Sequence, residues 1–153
     1  MRFVSRLGVM AAVAAISAAA ISQNAGTPAK SADEAKKAIE ARQQVFKDMK
    51  KANDVMSAML KNQREFDPAL VATSAAQIQE LSGKIPGAHV VDTRQFPDIK
   101  TAARENIWAS LADFKAKSEE TARAAANVVA VANGGEKGAT FKAIGAMGKS
   151  CGA

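Results

Sequence analysis

Phe141-Lys142-Ala143-Ile144-Gly145-Ala146-Met147-Gly148-Lys149-Ser150-Cys151-Gly152-Ala153 closes a chain of 153 residues. Phe141, Ile144, Met147 and Cys151 lie three, three and four positions apart, which places them on one face of a helix. Asn133-Gly134-Gly135 stands just upstream as a stop signal, so this last helix is expected to start near Glu136. Its spacing runs to Cys151, two residues before the end, with no stop signal of its own. The C-terminal end of the last helix is therefore expected to be missing.

Three more helices are expected upstream. The first runs from about Ala32 to Asn62, capped by Ser31 or Asp33. Ile39, Phe46, Met49, Met56 and Leu60 share its apolar face, and Arg42 falls on that same face. Asp67-Pro68 starts the second, a capping side chain followed by proline at the first helical position. That helix is expected to bury Leu70, Val71, Ala75, Ile78 and Leu81, to reach about Ser82, and to end at Gly83. Lys84 to Asp98, with Pro86, Gly87, His89 and Pro97, reads as an irregular crossover, long enough to be functional. The third helix is expected from about Ile99 to Ala132, with a break near Arg104. Ile107, Trp108, Leu111 and Phe114 mark its inward face at the start, and Val128, Val129 and Val131 near the end. The fold class is all-α: an antiparallel four-helix bundle with a longer crossover between the second and third helices.

The N-terminus has a different character. Arg2 and Arg6 precede an apolar run from Leu7 to about Ile21, with the small residues Ala18-Ala19-Ala20 near its end. This is the pattern of a secretory signal peptide, with cleavage between Ala20 and Ala25. The run of about 15 residues is short against the roughly 20 that a membrane-spanning helix needs. Residues 1–25 are thus expected to be removed, leaving a bundle over 26–153 in an exported, periplasmic protein without a membrane span. Asn24 to Ser31 reads as a flexible leader.

Lys and Arg number 21 against 15 Asp and Glu, and loss of Arg2 and Arg6 lowers the net charge from +6 to +4. The basic residues alternate with acids, as in Lys47, Asp48, Lys50, Lys51 and Asp54. That is a solvated helix face and argues against a nucleic-acid partner. Tyrosine is absent and aromatics are 5% of the chain, so a core of Ala, Leu, Ile, Val and Met suits close helix packing.

Cys151 is the sole cysteine, and an unpaired cysteine in an exported protein calls for a reason. Covalent haem attachment uses Cys-x-x-Cys-His. Cys151-Gly152-Ala153 supplies the first cysteine and both spacers. The chain resembles the cytochrome c′ family from about residue 34 onward. The resemblance rests on Arg42 and Phe46 in Ala41-Arg42-Gln43-Gln44-Val45-Phe46, on Ile107-Trp108 with Phe114 six residues after the tryptophan, and on Gly145 and Gly148 before Cys151. Glycines there let a flat macrocycle approach the backbone.

The resemblance implies one haem c, with its iron, joined through a thioether at Cys151 and through a second cysteine beyond Ala153. It implies no metal ligand within the chain, the axial histidine also lying beyond Ala153. Arg42 and Gln43 are implied at the haem edge, with Arg42 near a propionate, since a buried arginine needs an anionic partner. The plainer reading of Arg42 is a snorkelling side chain. Phe46 is implied on the distal face, where methionine-ligated relatives carry Met. A phenyl ring cannot ligate iron, so the iron is expected to be five-coordinate in an apolar pocket open to small gaseous ligands such as nitric oxide. Trp108 and Phe114 are expected as core residues that also wall the pocket. The implied role is electron transfer, gas binding or both. The redox partner is not readable, and a homodimer through the first and second helices is a family habit that the sequence does not decide.

His89 is expected to be a solvated loop histidine, and Met49 a core residue. No Ser/His/Asp set, zinc spacing, phosphate loop or Glu-x-x-His pair is present, so catalysis by side chains is not expected. The alternative is an exported haem-free helical bundle acting as a binding or chaperone-like protein. It leaves Arg42 on an apolar stripe and the offset of Cys151 unexplained. A noncovalent haem bundle would need His89 or a methionine as ligand.

Overall fold

A computed structural model describes residues 26–151. The expected signal peptide and the spacers Gly152 and Ala153 lie outside the described residues. The described chain is a helical bundle of α1 (Ala32–Leu60), α2 (Pro68–Ala88), α3 (Asn106–Ala109), α4 (Leu111–Asn133) and α5 (Lys137–Ser150). Two short strands, β1 (Thr27–Pro28) and β2 (Val91–Asp92), pair in parallel, Thr27 opposite Val91.

Local chemistry sets the helix ends. Ser31 is extended and its hydroxyl accepts from the Glu34 amide at 3.1 Å, while Glu34 accepts from the Lys30 amide at 2.6 Å. The first bond satisfies an amide that the first turn leaves free, and the second ties down the residue before the cap. Past Leu60 the chain turns at Asn62, the one non-glycine residue with positive φ (55°) among the described residues. Asp67 caps α2 by accepting from the Leu70 amide at 3.0 Å, with Pro68 at the first position. Glu136 caps α5 by accepting from the amides of Gly138 and Ala139.

Two expected boundaries are corrected. The second helix does not end at Gly83; α2 runs through Gly83 and Pro86 to Ala88. A glycine inside a helix costs about 1 kcal/mol, and burial of Leu81, Ser82 and Ile85 around it offsets that cost. Pro86 sits in the last turn, where its missing amide forfeits one helical bond. The third helix does not begin at Ile99. Residues 99–105 are irregular, α3 is a single turn, and Ser110 (φ −148°, ψ 77°) separates it from α4. The Ser110 hydroxyl accepts from the Asp113 amide at 3.4 Å and so caps α4. The break therefore lies at Ser110 rather than near Arg104.

The core gathers Ala52, Met56 and Met59 of α1, Val71, Ala75 and Ile78 of α2, Ala125, Val128 and Ala132 of α4, and Ala143, Ile144 and Met147 of α5. Alanine at facing positions lets the helices approach, and methionine fills what remains. These residues come from the later half of α1, the earlier half of α2 and the later half of α4, so the core sits towards one end of the bundle. α2 packs on both α1 and α4, and α4 packs on α5. α1 and α5 are not a closely packed pair. No helix among the described residues is long and apolar enough to cross a membrane.

Candidate functional site

Away from the core, side chains of α1, α2, α4 and α5 converge on one cavity of about 430 Å³. This lies within the roughly 300–1,000 Å³ typical of small-molecule sites. Helical periodicity explains its walls. Phe46, Met49, Lys50 and Asn53 of α1 are three, one and three apart, and each faces the cavity. Ile78 and Ile85 of α2, like Phe114 and Thr121 of α4, are seven apart, two turns on one face. Gly148 and Cys151, three apart, supply the α5 side.

The wall is apolar even where it carries hydroxyls. Ser118 donates to Lys115 O at 2.8 Å, and Thr121 Oγ1 lies 3.2 Å from Lys117 O and 3.4 Å from Ser150 O. Their polar atoms are thus occupied by backbone carbonyls. The bond to Ser150 O also ties α4 to the residue before Cys151. Lys50 and Lys117 are exposed residues that place cationic groups at the cavity's edge.

Cys151 continues the helical geometry of α5, its amide donating to Met147 O at 3.3 Å. It is an exposed residue whose side chain borders the cavity. Partial burial of the thiol pushes it up from the ordinary value, against a smaller opposing effect of a hydrogen bond with Ser150. A Cβ built at Gly148 or at Gly145 meets nothing within 4 Å.

Phe46 is 47% exposed. It is not the plain core residue that the stripe implies, since the buried face of α1 runs through Ala35, Ile39, Arg42, Ala52, Met56 and Met59. Its ring looks over the cavity instead. Phe114 is half-buried on the facing helix. Cys151, Phe46 and Phe114 are therefore brought together around one space.

Arg42, Gln43 and Trp108 are not part of that wall. Gln43 is exposed, one position round from the buried stripe. Arg42 is 3% exposed and grips the crossover. Its Nε donates to Ala88 O at 2.8 Å, one terminal nitrogen donates to Thr93 Oγ1 at 3.1 Å, and the other to Val91 O. Burial lowers the guanidinium from its usual value, partly opposed by Asp92. Asp92 is itself held below the carboxylate range chiefly by its hydrogen bonds from Arg94. Trp108 is buried between the two arginines, 5.1 Å from Arg42 and 5.7 Å from Arg94, and its Nε1 donates to His89 O at 3.0 Å.

His89 differs most from its sequence expectation. It is 2% exposed rather than solvated. Its ring packs edge-on against Phe114, centroids 4.7 Å apart, and against Phe46 at 6.3 Å. Burial lowers its pKa, a hydrogen bond to Ile85 opposes this, and the charge of Arg42 adds to the lowering. No sequence signal marked it, because α2 was expected to stop before reaching it. Ile78 with Ile85 and Phe114 with Thr121 were findable from their seven-residue spacing.

A family model described as Cytochrome C′ matches residues 37–153. The curated cytochrome c′ of Rhodopseudomonas palustris is 37% identical over 76 residues, 50% of this chain and 51% of that protein. The chain thus spans about half the length of this curated relative. No solved structure matches it. A model match over more than two thirds of the residues, on a helical bundle with a cysteine at the edge of its cavity, places the chain: it belongs to the cytochrome c′ family.

Proposed function

We propose that this is a c-type haem protein of the periplasm that transfers electrons, binds small gaseous ligands such as nitric oxide, or does both. The haem is held through Cys151 and the second cysteine of Cys-x-x-Cys-His, with five-coordinate iron and Phe46 on the distal face. Residues 1–25 direct export and are then removed. The protein is a carrier rather than an enzyme.

One observation carries the reading: α1, α2 and α4 direct apolar side chains, Phe46 and Phe114 among them, onto a cavity that has Cys151 on its α5 side. The residues fit a flat apolar group. Gly148 offers backbone without a side chain, Ile78, Ile85 and Met49 give apolar walls, and Lys117 at the edge is a cation able to pair with an acidic substituent of such a group. The haem supplies the redox change and the site for a gaseous ligand. The chain binds it, orients it and keeps water away. Partial burial raises the pKa of the Cys151 thiol, which disfavours the reactive thiolate before attachment. Arg42 is the implied propionate partner, yet three of its nitrogens already donate to the crossover. In this reading Arg42 shapes the pocket from behind.

The test is expression of the coding region, including whatever follows Ala153, with a covalent haem-attachment system in the periplasm. A Soret band, a covalent mass gain of one haem and an N-terminus between residues 21 and 26 are expected. Cys151→Ala is expected to remove or weaken covalent attachment. A colourless protein of unchanged mass favours the haem-free binding bundle instead.

A further inference from the structure

His89 is buried, titratable and unused by the function proposed above. Its peptide is fixed on both sides. The His89 amide donates to Pro86 O at 3.0 Å, His89 O accepts from Trp108 Nε1 at 3.0 Å, and Arg42 holds the neighbouring carbonyls of Ala88 and Val91. The ring is also oriented. Nδ1 lies 2.8 Å from Ile85 O. A carbonyl oxygen only accepts, so Nδ1 must carry the hydrogen, and the neutral ring keeps its lone pair on Nε2. Between these anchors the ring stands against two phenylalanines from different helices, Phe114 at an interplanar angle of 62° and Phe46 at 75°. Both phenylalanines line the cavity, and so does Ile85.

We propose that His89 is a positioning residue of the cavity, its anchored imidazole setting the separation and tilt of Phe46 and Phe114 and so the room left for a small ligand between those walls. The proposal rests on the haem reading only for what the cavity holds. The imidazole bridges Phe46 of α1 and Phe114 of α4. It is an apolar contact while neutral and a second cation beside Arg42 when protonated. Arg42 faces it from α1. On the crossover the carboxylate of Asp92 is occupied by Arg94. α2 presents the Ile85 carbonyl and α4 presents Phe114. Acid therefore loosens the ring from its place, and the two phenylalanines lose their spacer.

Two measurements test this and fail separately from the haem reading. In the 153-residue chain without haem, His89 is the only histidine, so its nitrogen resonances are unambiguous. The Nδ1–H tautomer is expected, with nuclear Overhauser contacts from the imidazole to both Phe46 and Phe114 that fade together as the ring titrates. An Nε2–H tautomer, or contacts to neither ring, overturns the proposal whether or not haem binds. In the haem-loaded ferrous protein, carbon monoxide is the probe. His89→Gln keeps a donor for Ile85 O but removes the ring, and its carbon monoxide affinity is expected to change by about three- to tenfold, the worth of an aromatic pair. His89→Phe keeps a ring, and is expected to restore near wild-type affinity but to lose its dependence on acid pH. Wild-type affinity and pH profile in His89→Gln sink the proposal.

Discussion

The Arg42 guanidinium lies 5.1 Å from the centroid of the Trp108 ring, and that ring in turn holds His89 O through Nε1. A charged residue of α1 and an aromatic residue of α3 thus fasten the crossover from two sides. Arginine suits the position because its planar fork stacks on the indole while its edge nitrogens reach carbonyls in fixed directions. A lysine offers one point charge and no plane. Arg42→Lys and Arg42→Met are both expected to destabilise the protein by about 3 kcal/mol, through carbonyls left without donors. Arg94→Ala, which removes an exposed guanidinium, is expected to destabilise clearly less than either change at Arg42. Urea midpoints of the three variants check the order. Equal effects at the two arginines would count against the clamp.

His89 makes stability depend on pH. Its folded pKa is depressed, chiefly by burial, so folding favours the neutral ring. The stabilisation is therefore complete above the unfolded imidazole value of about 6.5. It is lost as pH falls below that value, because the unfolded chain takes up a proton that the folded chain resists. The loss levels off once pH passes below the depressed folded value. Urea unfolding at pH 7.5 and pH 5.5 is expected to show a lower midpoint in acid. The lowered carboxylates Asp48, Glu80, Asp92 and Glu136 titrate below that range. His89→Phe is expected to flatten the curve between about pH 6.5 and 5.5, and an unchanged curve in that variant assigns the dependence elsewhere.

Cys151 gives a chemical handle. Its thiol is pushed up from the ordinary value by burial, while the Ser150 hydrogen bond works in the opposite sense. Alkylation needs the thiolate. Iodoacetamide is expected to modify Cys151 more slowly at pH 7.5 than it modifies a small-molecule thiol, despite the exposure of the residue. Ser150→Ala is expected to slow it further. Mass spectrometry of timed samples reads both rates. Faster labelling in the variant would show that Ser150 does not stabilise the thiolate.

These predictions mark where the sequence was legible. Capping at Ser31 and Asp67 and the stop at Gly134 were readable because they depend on neighbours three or four residues away. The core positions Ile39, Met56, Val71, Ile78, Val128 and Ile144 followed from periodicity alone. The end of α2 was not legible. Gly83 and Pro86 are breakers by propensity, and only tertiary burial of Ile85 and His89 carries the helix past them. The start of the third helix failed for the opposite reason. Residues 99–105 are mostly exposed and gain little burial from a helix, and Ser110 supplies a later cap. At the site, Arg42 was visible as a charge out of place on an apolar stripe. What it holds, three groups between Ala88 and Thr93, became visible only once the chain was folded.

The two glycines of α5 allow stability and cavity to be set against each other. A Cβ at Gly145 or Gly148 meets nothing within 4 Å, so alanine fits at either position without displacement. Each Gly→Ala change inside a helix is expected to stabilise the haem-free fold by about 0.5–1 kcal/mol, because glycine loses the most backbone freedom on folding. Gly148 borders the cavity beside Cys151 and Gly145 does not. A larger side chain at Gly148 is therefore expected to keep the fold and obstruct what the cavity holds. Gly148→Leu should match or exceed the parent in thermal unfolding of the haem-free chain, yet acquire less haem in the periplasm than Gly145→Leu. The ratio of Soret absorbance to protein mass in the two variants decides it. Equal haem content would separate the cavity from the haem site and leave the residues around Phe46 and Cys151 without the role proposed for them.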